Sequence, residues 1–275
     1  METLGQILKI LFFLILILSC NPKEKTTQES TRAPIYYRWD VSGLQEAPLN
    51  IVLAQEFLPQ LSKELPDTSG LNAIELMAQK WNLAHPSIEF YSLPFTIGSN
   101  RVFTNLDDYL DDEIGIYFSK EWYRELSPNS LAVTQFFGKR KNVGTPDEFF
   151  ELVHGDILVN FRDFEYFSDS DKKVFDLLTV VLHEMGHLLG LPHTNNPTIP
   201  SVMSPYLDRG EKRRDLTPYD IDNILKHYPV KASTTPAISS LFSIEETEVL
   251  EKYIVELRSD GQCYHYLNGQ FLFSH

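Results

Sequence analysis

The chain has 275 residues, with 38 acidic against 24 basic side chains and a net charge of −14 at neutral pH. That length accommodates one full domain with a small appendage. The acidic balance excludes the attraction to phosphate backbones and anionic lipid surfaces that basic proteins use, so nucleic acid is not expected as a partner. Two cysteines, Cys20 and Cys263, are too few for a disulfide scaffold, and a monomer is expected.

At the start, Lys9 precedes an apolar run from Ile10 to Leu18. Crossing a bilayer takes about 20 such residues, so the run is too short for a span and has the length of a signal-peptide core. Ile17, Leu18, Ser19 and Cys20 resemble a bacterial lipobox. This implies removal of residues 1–19 and lipidation of Cys20, placing the protein in a bacterial cell envelope or on an outer membrane. Glu2 makes the leader less basic than usual, so a eukaryotic signal peptide and simple secretion to the extracellular space stay open. Residues 20–33 are polar and read as the lipidated cysteine and a flexible tether. With Cys20 lipidated, Cys263 is left as a lone thiol; the rival is a Cys20–Cys263 disulfide.

Residues 34–230 read as the main domain. Apolar spacing predicts a helix over 71–84, with Thr68 or Ser69 as its cap. The acidic run Asp107, Asp108, Asp111, Asp112, Glu113 lacks the spacing of a calcium loop and reads as a solvated face, leaving calcium unsupported. Strands are predicted over 113–118, 131–137 and 156–161, with His154 at a strand edge. Ser168 with Asp171 suggests a capping box before a helix over 172–189, too apolar for a surface position and so expected to run through the core. Residues 231–275 read as a linker, a helix capped by Ser243 with Glu246 and ending at Arg258, and a hairpin turning at Asn268-Gly269.

The chemistry is concentrated in residues 183–193, HEMGHLLGLPH. On a helix, His183 and His187 project from one face one turn apart and can share a metal ion. Glu184 is then placed beside the metal as a base. Gly190 sits where a helix often ends in a left-handed residue, so the chain can turn back and offer His193 as third ligand. Three protein ligands leave the fourth tetrahedral position of zinc open, as in catalytic sites.

The stretch matches the HExxHxxGxxH signature of the metzincin metallopeptidases, and Ser201 to Tyr206, SVMSPY, resembles their methionine turn. Met203 would then lie beneath the zinc site as apolar support. Pro205 and Thr194 are similar to the matrixins, the matrix metalloproteinase family, rather than to astacin-like or adamalysin-like members. AIELMAQKWNLAHPSIEFYS, within residues 72–92, and LTPYDIDNILKHY, residues 216–228, resemble the first helix with its strand and the closing helix of matrixin domains. The resemblance covers roughly residues 34–230. It implies an α+β zincin-like fold: a twisted mixed five-stranded sheet with active-site helix, methionine turn and closing C-terminal helix.

The same resemblance implies a zinc-dependent endopeptidase acting on proteins or peptides. The loop with Pro205 and Tyr206 would shape specificity, and Arg209, Lys212, Arg213 and Arg214 are candidates for favouring polar or acidic substrate side chains. Neither cysteine lies in the propeptide context by which matrixin zymogens block their zinc. No paired histidines remain for a second, structural zinc, so one zinc per chain is expected. The competing reading is a non-catalytic surface lipoprotein serving as a binding or adhesion module.

Overall fold

The computed structural model describes residues 36–61, 68–146, 148–167, 173–194, 196–229 and 249–274. The leader, Cys20 and the tether lie outside the described residues, as do Ser168, Asp171, Ser243 and Glu246. Among the described residues no helix is long and apolar enough to cross a membrane.

The strands are β1 (Tyr36–Trp39), β2 (Ile51–Ala54), β3 (Thr96–Gly98), β4 (Ile114–Ser119), β5 (Ser130–Lys141), β6 (Phe149–Asn160), β7 (Tyr166–Phe167), β8 (Phe175–Asp176), β9 (Glu251–Arg258), β10 (Cys263–Leu267) and β11 (Gln270–Ser274). The helices are α1 (Val41–Glu46), α2 (Leu58–Leu61), α3 (Ala73–Leu83), α4 (Leu177–Leu188) and α5 (Pro218–His227). Among the described residues, nine strands form one mixed sheet in the order β11-β10-β9-β5-β6-β4-β2-β3, with β1 pairing parallel to the start of β6. β2, β3, β4 and β6 run parallel, whereas β5 is antiparallel to β6. All four residues of β2 are buried, consistent with a parallel strand covered on both faces.

The mixed α+β architecture agrees with a zincin-like fold, yet the sheet is larger than the five strands expected. Three of the four additional strands, β9 to β11, come from the C-terminal segment. The part described of the helix expected up to Arg258 is instead β9, which pairs antiparallel along β5 from Ser130↔Arg258 to Gly138↔Glu251. Its residues Tyr253 to Leu257 are all buried, and tertiary pairing overrides the weak capping signal. The hairpin expected at Asn268-Gly269 forms between β10 and β11, with φ of 49° and 76° at the two turn residues, as a tight primed turn requires.

Two helix starts also differ. α3 is capped by Asn72, whose Oδ1 accepts from the Ile74 and Glu75 amides while Glu75 Oε2 accepts from the Asn72 amide, so the cap lies three to four residues past Thr68 and Ser69. α4 begins at Leu177 behind the cap Asp176, because Phe175 and Asp176 are drawn into a short parallel pairing with β7. All twelve residues of α4 are buried, as its apolar sequence predicts.

His154 is also placed differently from the edge position expected. It is 5% exposed within β6, and its Nε2 lies 2.9 Å from Asp156 Oδ2.

Candidate active site

α4 supplies the frame of the site, and its C-terminal end shows how. The last carbonyls of a helix have no partner within it, so a buried helix end must find them elsewhere. Here Gly190 N donates to His187 O at 2.7 Å and Leu191 N to Gly186 O at 3.0 Å, a Schellman closure. Trp39 Nε1 donates to Leu188 O at 2.7 Å, and Tyr228 Oη to Leu189 O at 2.9 Å. Tyr91 Oη adds a bond to Met185 O, and Trp81 Nε1 one to Leu182 O. Gly190 has φ of +82°, and a Cβ there would lie 2.0 Å from Tyr37 O, so glycine is required by conformation and by space.

The reversal at Gly190 brings His193 to the helix face carrying His183 and His187, and the three Nε2 atoms lie 2.8–3.2 Å apart. A tetrahedral zinc with bonds of about 2.0–2.1 Å holds its ligand atoms about 3.3 Å apart. His183 Nδ1 donates to Val202 O at 2.8 Å and His187 Nδ1 to Leu191 O at 2.9 Å. These bonds place the protons on Nδ1 and leave the Nε2 lone pairs facing one another. Three imidazole nitrogens converge in a buried site, two of them with lone pairs fixed by their backbone partners, so the donor set fits a metal ion. Burial, opposed by its bond to Val202, pushes the His183 imidazole down to about 3 and so keeps it neutral.

Glu184 lies fully buried beside this cluster. Its Oε2 accepts from Thr134 Oγ1 at 2.5 Å, while Oε1 has no hydrogen-bond partner. Burial pushes the carboxyl up to about 8, against the hydrogen bond from Thr134. Thr134 sits on β5 and also contacts Glu184 O at 3.2 Å, so the strand beside the helix fixes the carboxylate's position.

Met203 is fully buried beneath the cluster. Its turn is tied down by Asp220, the N3 residue of α5: Oδ1 accepts from Ser201 Oγ at 2.5 Å and Oδ2 from Val202 N at 3.1 Å. Asp220 is a positioning residue that sequence reasoning missed; the capping pattern Thr217-x-x-Asp220 was its only visible signal. Thr134 had no sequence signal, since only the sheet brings it to the helix.

The loop after the methionine turn departs from expectation. Arg213 donates to Ser201 O and Ser204 O, Arg214 Nε to Asp176 Oδ1 at 2.9 Å, and Arg209 Nη1 to Lys173 O while lying over Phe175. These three guanidinium groups tie the loop to the protein itself and give little support to a role in attracting acidic substrates. Pro205 is buried and Tyr206 is exposed. Within the acidic run, Arg101 pairs with Asp111 and Glu113, and Asp107 pairs with Lys252.

The largest surprise is Cys263, a free and fully buried thiol at the head of β10. Its Sγ lies 4.0 Å from His183 Nε2, and the ligand atoms of His183, His187, His193 and Cys263 all fall within 4.8 Å of one another. From the same strand, His265 Nε2 lies 3.2 Å from His193 Nδ1, and His265 Nδ1 lies 2.9 Å from Tyr253 Oη on β9. Separation of up to 80 positions along the chain hid this juxtaposition from any reading of spacing.

Compared with known families, residues 101–229 match the model of the Peptidase_M10 family, described as Matrixin. The matched stretch contains the histidine cluster, Glu184, the methionine turn and α5. No curated protein matches the chain.

Proposed function

Because residues 101–229 carry a matrixin-like metzincin catalytic domain, whose family implies a zinc metallopeptidase, we propose that the protein is an exported zinc endopeptidase with Glu184 as its general base. The observation that carries this reading is the buried convergence of three imidazole Nε2 atoms next to a carboxylate with one oxygen unengaged. Zinc held there by His183, His187 and His193 supplies Lewis acidity toward a peptide carbonyl and makes water acidic enough to be deprotonated near neutral pH.

The chain's own groups do the rest. A cation among the imidazoles favours the ionised form of Glu184 and offsets the effect of its burial. Thr134 holds Oε2, which leaves Oε1 to take a proton from the attacking water and pass it to the leaving amine. His183 and His187 keep one tautomer through their backbone acceptors, and Met203 presses on the helix from below. The loop carrying Pro205 and Tyr206 borders the site and is the candidate wall for substrate selection.

The location belongs to the same proposal: residues 1–19 direct export, and a lipid on Cys20 holds the monomer at a bacterial envelope membrane. Incorporation of labelled fatty acid, lost in Cys20→Ala, tests the anchor. For the chemistry, hydrolysis of a peptide library by the zinc-loaded chain should be chelator-sensitive and lost in Glu184→Gln with one zinc still bound. Hydrolysis that survives this substitution overturns the assignment of the base.

A further inference from the structure

Resting on the peptidase reading, we propose that the C-terminal strands are an intramolecular inhibitor: Cys263 is the fourth ligand of the zinc, and β9 occupies the strand edge where an extended substrate would pair. The two halves rest on separate observations.

The first is the ligand set. A catalytic zinc keeps one position open, whereas three histidines with a cysteine close it. Cys263 is buried with the three imidazoles, its Sγ 4.0 Å from His183 Nε2, close to the separation of about 3.6 Å between sulfur and nitrogen on a tetrahedral zinc. His265, two residues on, braces His193 through Nδ1, so the same strand supplies a ligand and the support of another.

The second is the sheet. Without β9 to β11, β5 is the outer strand on this side, with Thr134 holding the proposed base. An edge strand recruits extended peptides through its free backbone groups. β9 takes up those groups: Val255 lies opposite Thr134, Glu256 opposite Val133 and Leu257 opposite Ala132. The pairing is anchored internally, since Ser130 Oγ donates to Glu256 Oε2 at 2.8 Å and Lys252 pairs with Asp107. One continuous segment thus fills both the metal position and the strand edge that hydrolysis requires. Release would be a ligand exchange in which the bond to Cys263 Sγ breaks, a water molecule takes its place, and the thiolate takes up one proton from solvent, with no change of oxidation state.

The test uses the full chain loaded with cobalt for spectroscopy and with zinc for hydrolysis. Wild type should show a sulfur-to-cobalt charge-transfer band and slow hydrolysis of a peptide library. Cys263→Ala should bind one metal, lose the band and hydrolyse at least tenfold faster. Adding Val255→Pro, which removes an amide donor from the middle of β9, should raise the rate further. One bound metal without the band in wild type, or hydrolysis equally fast in wild type and both variants, overturns the inhibitor. A band in wild type with no hydrolysis by any form removes the peptidase reading and the inhibitory role with it, an outcome distinct from a wild type that is already fully active.

Discussion

Gly186 and Met203 meet so closely that a Cβ on Gly186 would lie 2.3 Å from Met203 Sδ and 2.9 Å from Trp81 Cζ2. In an exposed helix, glycine to alanine gains up to about 1 kcal/mol. Overpacking in a filled core costs about 1–3 kcal/mol, and here the sulfur and an indole ring both stand in the way. Gly186→Ala is therefore expected to lower stability by about 1–2 kcal/mol despite the better helix former, read as a lower denaturation midpoint with unchanged slope. A rise in midpoint would mean that Met203 yields freely and does not brace the helix.

Two buried groups at the site contribute to the pH dependence of stability expected of the metal-free protein. His183 is pushed down from 6.5 to about 3, so the unfolded chain binds more protons between those values and stability rises with pH there. Glu184 is pushed up from 4.5 to about 8, so the folded chain binds more protons and stability falls as pH rises through that window. The two oppose each other between 4.5 and 6.5, and Glu184 dominates this pair from 6.5 to 8. Denaturant titrations of chelated protein at pH 6.5 and 8 should show a loss that Glu184→Gln reduces. An equal loss in the variant would assign it to other groups.

Asp220 and His183 communicate through one residue, Val202, whose amide donates to the carboxylate and whose carbonyl receives His183 Nδ1. Outer partners of metal-binding histidines are worth about 10–100-fold in metal affinity. Asp220→Ala should weaken zinc binding by about tenfold and destabilise the fold by about 2–3 kcal/mol, since it leaves buried donors without acceptors. Competition with a chromogenic chelator measures the first; unchanged affinity would show that the methionine turn stands without its tie to α5.

Arg214 binds Asp176, the buried cap of α4. Arg214→Ala should cost about 1–3 kcal/mol, as expected for a charge-assisted bond to a buried carboxylate. The cleavage-site profile should keep its preferences, because the guanidinium faces the helix cap. A profile that shifts selectively for acidic residues would restore this arginine to substrate selection.

How much was legible in the sequence depends on how local each interaction is. His183, Glu184, His187, Gly190 and His193 lie within eleven positions, so helical period and a left-handed glycine suffice to bring them together. The hairpin at Asn268-Gly269 was readable for the same reason, being set by two turn residues. The five-strand expectation failed because it came from resemblance to a domain, and nothing in EKYIVELR states which strand it pairs with. Cys263 and His265 are placed at the imidazoles by β10, which pairs with β9 and through it with β5, a long-range arrangement that no local spacing encodes. Asp176 took the cap from Ser168 and Asp171 because β8 pairs with β7 immediately before the helix.

β1 is only four residues long, yet the Tyr37 carbonyl packs against Gly190 and Trp39 donates its indole proton to the end of α4. Trp39 N also donates to Tyr228 Oη, joining that strand to the residue that follows α5. This sets a boundary on N-terminal truncation. Trimming that stops before Tyr36 leaves these contacts intact, whereas trimming past Trp39 leaves Leu188 O without its donor and opens space beside Gly190. A chain cut back to Tyr36 therefore keeps the contacts that close the turn carrying His193, and a cut beyond Trp39 loses them.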